Sequence, residues 1–250
     1  MSKPVRLDAL LVKLGLAASR ARARELIEEG SVMVDGIVSA KAARQVRPEQ
    51  TLTLVREDHQ WVGRGALKLL GAIEPMGVDP TDMTCADLGS STGGFTQVLL
   101  HKGAVRVYAI DVGTNQLAWS LRTDDRVVVM EGVNARYLDA LPEPMDLVVG
   151  DLSFISLSLI LPTVARILRP GGRAVLLVKP QFEAGRDQIA KGGRVRSDAA
   201  RADAIAGVVA EAQTAGFHVL DQRDCVLAGA KAGNIEHFIY IELAGAVLDE

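Results

Sequence analysis

From Gly63 onward the chain alternates short apolar runs with amphipathic stretches. That alternation restricts it to a largely parallel sheet covered by helices on its faces. The apolar runs fall at 84–88, 105–110, 127–130, 146–150, 173–178, 217–223 and 236–242. Between them, Leu157, Ile160, Leu161, Val164, Ile167 and Leu168 repeat with helical spacing, and Pro170-Gly171-Gly172 follows as a stop signal. The expected fold class is α/β, with a seven-stranded, mostly parallel sheet of Rossmann-like character.

The first of these strands runs into Asp87-Leu88-Gly89-Ser90-Ser91-Thr92-Gly93-Gly94-Phe95. A glycine loop here lets a ligand approach the backbone, and the helix that follows offers its positive N-terminus. Asp111 ends the next strand about 20 residues on, where an acid commonly takes the ribose hydroxyls of an adenosine. The spacing G-x-x-x-G-G departs from the dinucleotide fingerprint, and no Lys-Ser or Lys-Thr follows as in a phosphate loop. Asp87 would repel a phosphate and welcome a sulfonium or amino group. The loop therefore points to S-adenosylmethionine, with Asp87, Gly89, Ser90, Ser91, Gly93, Gly94 and Asp111 as its expected contacts.

The first 56 residues read differently. Leu7, Leu10, Leu11 and Leu14 describe an amphipathic helix ending at Gly15. Ser19 serves as N-cap of a second helix closed by Gly30, in which Arg20 and Arg24 share a face and Arg22 points elsewhere. Val32–Val34 and Thr51–Leu54 read as strands, with Asp35-Gly36 as a hairpin turn. The net charge of −3 is unevenly spread: ten cations against six anions give residues 1–56 a charge of +4, leaving −7 on the remainder. Such a split suggests a basic binding head on an acidic body. The domain organisation expected is 1–56, a linker at 57–62, and 63–250.

Composition excludes several classes. No apolar run reaches about 18 residues, so no membrane span is expected. The N-terminus has no apolar segment of the signal-peptide kind. Cys85 and Cys225 lie far apart without metal-ligand spacing, so they read as free thiols of a cytoplasmic protein without a metal site. Aromatics make up 4% of the chain, so RNA contact would rest on charge and hydrogen bonds more than on stacking.

Four charged residues sit at the ends of expected elements. Lys68 lies in the helix 65–74, Asp151 follows the strand 146–150, Lys179 closes the strand 174–178, and Glu236 opens the last strand. In an open α/β sheet ligands gather at the carboxyl ends of the strands, which brings Asp151 and Lys179 beside the glycine loop. An antiparallel last strand would bring Glu236 there too. A hydroxyl is a poor nucleophile and needs proton removal or nearby positive charge as it attacks a methyl group. A lysine desolvated at a strand end can act as that base, and Lys179 is assigned the role, with Asp151 orienting it and lying close to the donor methyl as a further cofactor contact. Glu236 and Lys68 complete the network.

Three resemblances bear on these readings. Arg6-Leu7-Asp8, Ser19-Arg20-Ala21-Arg22 and Gly30-Ser31-Val32-Met33-Val34-Asp35-Gly36 resemble the alpha-L RNA-binding motif of a small-subunit ribosomal protein and of pseudouridine synthases. This implies that Arg6, Ser19, Arg20, Arg22, Arg24 and Lys41 face RNA phosphates. The order Lys68, Asp151, Lys179, Glu236 resembles the tetrad of FtsJ-type ribose 2′-O-methyltransferases, within a class I methyltransferase domain. Finally, residues 89–96, 150–157, 178–186 and 233–236 together with the head resemble the TlyA/hemolysin A family over about residues 5–243. That family implies methylation of cytidine 2′-hydroxyls in large-subunit rRNA, sometimes also the small, and its short N-terminal form goes with the large subunit alone. It implies Asn134 beside the adenine and Arg186, Lys191 and Arg194 in a loop near RNA. Where the family often has Ser-Pro-Ile, this chain has Asp224-Cys225-Val226-Leu227-Ala228-Gly229, so the wall beside Glu236 is expected to differ.

Alternative readings are a non-enzymatic RNA-binding or ribosome-assembly factor, a base methyltransferase of the same fold, and a lytic protein. The first would not need Lys179 and Asp151. The second usually carries a proline-rich loop where this chain has Asp151-Leu152-Ser153-Phe154. Nothing in the sequence supports pore formation.

Overall fold

The computed structural model describes residues 4–17, 19–28, 31–35, 37–39, 41–54, 61–227 and 233–245. The chain packs as two units, Met1–Gln60 and Trp61–Glu250. Gly30, Gly36, residues 57–60 of the expected linker, and residues 228 and 229 lie outside the described residues.

In the first unit β1 (Val5–Arg6) leads into α1 (Leu7–Lys13), followed by α2 (Arg20–Glu28), β2 (Val32–Val34), β3 (Ile37–Val38), β4 (Gln45–Val46) and β5 (Leu52–Leu54). Leu7, Leu10 and Leu11 are buried with Ala23, Ile27, Val32, Val34 and Val46. Leu14 was expected on the same face, yet it is exposed because α1 stops at Lys13 and the chain turns at Gly15, whose φ is +70°. Ser19 accepts the amide of Arg22 at 3.2 Å, the N-cap bond expected of it. β2 pairs antiparallel with both β3 and β5.

The second unit runs α3 (Gly65–Ile73), β6 (Thr84–Leu88), α4 (Gly94–His101), β7 (Arg106–Asp111), α5 (Trp119–Arg122), β8 (Val127–Glu131), β9 (Met145–Gly150), α6 (Leu161–Ile167), β10 (Leu168–Val178), α7 (Pro180–Glu183), α8 (Asp198–Thr214), β11 (Phe217–Asp224) and β12 (His237–Leu243). Its seven-stranded sheet has the order β11-β12-β10-β9-β6-β7-β8. Only β12 runs against the rest, paired antiparallel with β10 and β11. Trp61 and Val62 pack on this unit, and the amide of Val62 donates to Gln97 Oε1 at 2.7 Å. One face of the sheet carries α3, α4 and α5; the other carries α6 and α8. Burial on both faces explains why Ala174–Val178 is a continuous apolar run.

The helix expected over 157–168 is broken. Leu157–Leu159 is a single 3-10 turn, and α6 begins only at Leu161. Pro162 lacks an amide and its ring would clash with the preceding turn, so the helix must restart around it. Pro170-Gly171-Gly172 then lies within β10 as a bulge: Leu168 pairs with Met145 and Arg173 already with Leu147. Strand order reverses between β6 and β9, so the crevice expected at such a switch point opens at Leu88 and Gly150.

Candidate active site

The carboxyl edge of the sheet brings all four expected charged residues together. Lys179 follows β10 directly, and its Nζ stands 2.5 Å from Asp151 Oδ1. Asp151 follows β9, and its Oδ2 lies 3.4 Å from Lys68 Nζ. Lys68 Nζ donates in turn to Glu236 Oε2 at 2.6 Å. Glu236 precedes β12 by one residue, and the antiparallel course of that strand brings it to this edge. The result is one alternating chain of charge, Lys179–Asp151–Lys68–Glu236. Lys68 and Lys179 are each 7% exposed and Glu236 3%. Groups this buried hold charge only when paired. Burial alone would lower the pKa of Lys68. Asp151 and the bond to Glu236 outweigh it and leave the pKa above the usual lysine value, so Lys68 is a fixed cation.

Two glycines allow this geometry. Gly94 sits where α4 crosses α3, and an added Cβ would stand 2.8 Å from the amide nitrogen of Ala66. Only glycine lets α3 come close enough to hold Lys68 in place. Gly89 has φ +82°, and a Cβ there would meet the carbonyl oxygen of Asp151 at 3.1 Å.

Beside the tetrad lies a cavity of about 450 Å³ that Asp151 also lines. Gly89, Ser91 and Asp111, and Asn134 that the family resemblance singles out, line it together with Ile110, Val112, Gln116, Val133 and residues 152–155. Asp111 Oδ2 accepts the amide of Ser91 at 2.8 Å and its Oδ1 that of Gly113 at 2.7 Å. Each oxygen keeps a second lone pair for a ligand hydroxyl. Apolar walls with a few placed polar groups suit an adenosine-sized ligand. The residues present therefore fit S-adenosylmethionine.

Ser90, Gly93, Gly94 and Asp87 support the loop instead of lining this cavity. Asp87 is fully buried; its Oδ2 accepts the amide and hydroxyl of Thr96 at 2.9 and 2.7 Å, while Oδ1 has no hydrogen-bond partner among the described residues. Burial pushes its pKa from 3.8 up to about 7, against the pull of the Thr96 bonds. A carboxyl whose pKa is raised by folding contributes stability below its unfolded value and loses it as pH rises through the folded value. Stability should thus decline from about pH 4 to about pH 7 through this group. Asp87→Asn is expected to flatten that decline, keeping its Tm a few degrees above wild type at pH 8 and level with it at pH 4. Parallel Tm–pH curves for the two proteins would show that Asp87 is not the group responsible.

Several contributors were not foreseen. Ser153 accepts from Lys179 Nζ at 2.7 Å. Glu131, at the end of β8, accepts the amides of Asn115, Gln116 and Leu117 and a guanidinium nitrogen of Arg122, fixing one wall of the cavity. Its place at a strand's carboxyl end was a signal the sequence offered. Phe154, 81% exposed with φ +64°, sits between this cavity and a neighbouring one lined also by Gln181, Phe182, Arg186 and Ile189.

In the first unit Arg6, Arg20 and Arg24 converge on one buried carboxylate. Asp8, 0% exposed, pairs with Arg6 and Arg20 at 3.0 Å and with Arg24 at 3.2 Å. Arg22 turns instead to Glu25 at 3.0 Å, and Lys41 is exposed.

Over residues 61–242 the chain matches the family model described as FtsJ-like methyltransferase, and over residues 5–52 the S4 domain. It is 46% identical to the 16S/23S rRNA (cytidine-2′-O)-methyltransferase TlyA of Mycobacterium tuberculosis, over 96% of this chain and 91% of that one. It is 36% identical to Hemolysin A of Brachyspira hyodysenteriae, over 94% of this chain and 100% of that one. A solved structure from Streptococcus thermophilus that carries a hemolysin label is 40% identical, with a TM-score of 0.75, covering 100% of this chain and 93% of that one.

Proposed function

The chain belongs to the FtsJ-like methyltransferase family, and from that premise we propose that it methylates the ribose 2′-oxygen of a cytidine in ribosomal RNA. The large subunit is its target, in the cytoplasm, and label on the small subunit too is the wider specificity that the test below would reveal. The observation that carries this reading is the buried alternation Lys179–Asp151–Lys68–Glu236 beside a cavity that suits an adenosine. The target class follows that of the TlyA relative's name. When bound, S-adenosylmethionine supplies an electrophilic methyl group; Gly89, Ser91, Asp111 and Asn134 would hold it. Lys179, at the mouth of β10, acts once it has released its own proton to solvent: its neutral amine takes the proton of the ribose hydroxyl as that oxygen attacks. Asp151 and Ser153 orient the Lys179 Nζ, and Lys68 with Glu236 keeps Asp151 in place. Most of the rate gain comes from alignment of the attacking oxygen with the methyl carbon.

The test is transfer of labelled methyl from S-adenosylmethionine to purified ribosomal subunits. Label in rRNA at one alkali-resistant linkage is the expected result. Measurable donor binding without label on either subunit would overturn the reading in favour of an assembly factor.

The basic head would hold the RNA, and Asp8 gives a way to ask how. Removing that carboxylate adds one positive charge to the head, so charge alone predicts tighter RNA binding. If Asp8 works by presenting Arg6, Arg20 and Arg24 as one cluster, binding weakens instead. Asp8→Ala is expected to raise the Kd for rRNA by about tenfold at fixed salt, since three phosphate contacts lose their common anchor. A lower Kd would mean that presentation plays no part.

A further inference from the structure

The connection between α7 and α8 is a closed hairpin, not an open loop. Ile189 and Val195 form an antiparallel bridge. The amide of Ala190 donates to the carbonyl of Arg194 at 2.8 Å, that of Gly193 to Ala190 at 3.0 Å, and that of Arg196 to Gln188 at 2.9 Å. Gly192 and Gly193 turn its tip at φ +96° and +84°. The hairpin and its base expose Arg186, Lys191, Arg194 and Arg196. Among the described residues none of the four is ion-paired, and Asp187 is the one carboxylate within residues 185–196.

One buried side chain holds this hairpin. Asn234, 7% exposed, accepts the amide of Val195 at 3.0 Å and donates to the carbonyl of Gly193 at 2.9 Å. Both halves of its amide are thus spent on a segment about 40 residues away. The next carbonyl, that of Ile235, accepts Nε of Arg201 on α8 at 3.0 Å. The carbonyl of Glu236 accepts the amide of Cys225 at 2.9 Å. Residues 234–236 therefore form a short strut. Its one end is bonded to a cationic hairpin and its other end carries the carboxylate that holds Lys68.

A hairpin of unpaired cations suits a phosphodiester backbone, and a buried bidentate amide is a stiff connection. We propose that Asn234 is a positioning residue that couples seating of the RNA backbone on the 189–196 hairpin to the placement of Glu236 in the tetrad. The proposal rests on the ribose-methylation reading above. Under it, RNA seated on the hairpin holds Glu236, through Asn234, in the placement that the structure already shows.

The experiment uses the full chain and the ribosomal RNA that wild type labels. It compares Asn234→Ala, the pair Lys191→Ala with Arg194→Ala, and all three together. The hairpin pair is expected to raise the acceptor Kd about tenfold and to flatten its salt dependence, as loss of one or two phosphate contacts does, and through Glu236 to lower the saturating single-turnover rate severalfold as well. Asn234→Ala is expected to lower the saturating single-turnover rate about tenfold, leaving donor Kd and Tm near wild type. Asn234→Asp, which keeps the acceptor for Val195 and loses the donor to Gly193, should fall between. The rate losses in the combined variant should be less than multiplicative, because coupled residues fail additivity. Multiplicative losses, or an Asn234→Ala protein whose donor affinity and Tm fall in step with its rate, would overturn the coupling and leave Asn234 a structural residue. Wild type that labels no ribosomal RNA would instead overturn the reading on which the coupling rests.

Discussion

Lys179→Ala is expected to slow methyl transfer by about 10²- to 10⁴-fold, the span typical of a lost general base, while donor affinity stays within about threefold of wild type. The separation follows from where the side chain lies. Lys179 is absent from the lining of the donor cavity, whereas its two polar contacts, Asp151 and Ser153, belong to that lining. Its loss therefore removes a group from the acceptor side. Asp151 keeps Lys68 at 3.4 Å and stays paired. Lys179→Arg sharpens the test. A guanidinium preserves the positive charge and cannot accept a proton in this pH range. If Lys179 acts as the base, the arginine variant is as slow as the alanine one. Recovery of a tenth or more of the wild-type rate would assign Lys179 an electrostatic role only. Single-turnover label transfer, read as alkali-resistant product, gives the rate without a contribution from product release.

The reach of this site was legible because strand ends are legible. Burial on both faces makes β9 and β10 continuous apolar runs, so the first charged residue after each, Asp151 and Lys179, stands out, and topology then places them at one edge. Asp111 stands out the same way, as the acid that closes β7. Glu236 needed one further condition, the reversed direction of β12, which no local pattern in the last strand encodes. What stayed hidden depends on docking between distant segments. In the sequence Asp8 counts against the basic head; in the structure it is the anchor on which three arginines meet, because α1 and α2 cross with Leu7, Leu11, Ala23 and Ile27 between them. Asn234 reads as an ordinary loop amide until Gly193 and Val195 fold onto it. Pro162 shows the opposite failure. The apolar period over 157–168 was real and its residues are buried, but backbone chemistry at one position overrode the helix that the period describes.

Lys68→Met is expected to be the most destabilising change at the site, at a cost of about 3–5 kcal/mol, because it strands a carboxylate rather than merely deleting an ion pair. Glu236 is 3% exposed and the Lys68 ammonium 2.6 Å away is its charged partner. Methionine fills most of the volume of the lysine stem, so the loss is electrostatic and not a cavity effect. Chemical denaturation of the variant should show the drop as a lower midpoint with an unchanged slope. Adding Glu236→Gln removes the orphan charge, and the double variant should recover about half or more of the loss, since neutralising both partners of a buried pair is far cheaper than removing one. Activity should not follow stability. The double variant restores a foldable core but leaves Asp151 facing Lys179 alone, without the fixed cation that balances it from the other side. Methyl transfer should stay depressed about 10²-fold or more, since residues that act as a unit lose most of their effect together. Recovery of both stability and rate in the double variant would show that Lys68 and Glu236 serve the fold alone, and that catalysis needs only Asp151 and Lys179. A Lys68→Met protein as stable as wild type would show that Glu236 finds water in solution, and the buried tetrad would then be a weaker support for Asp151 than its distances imply.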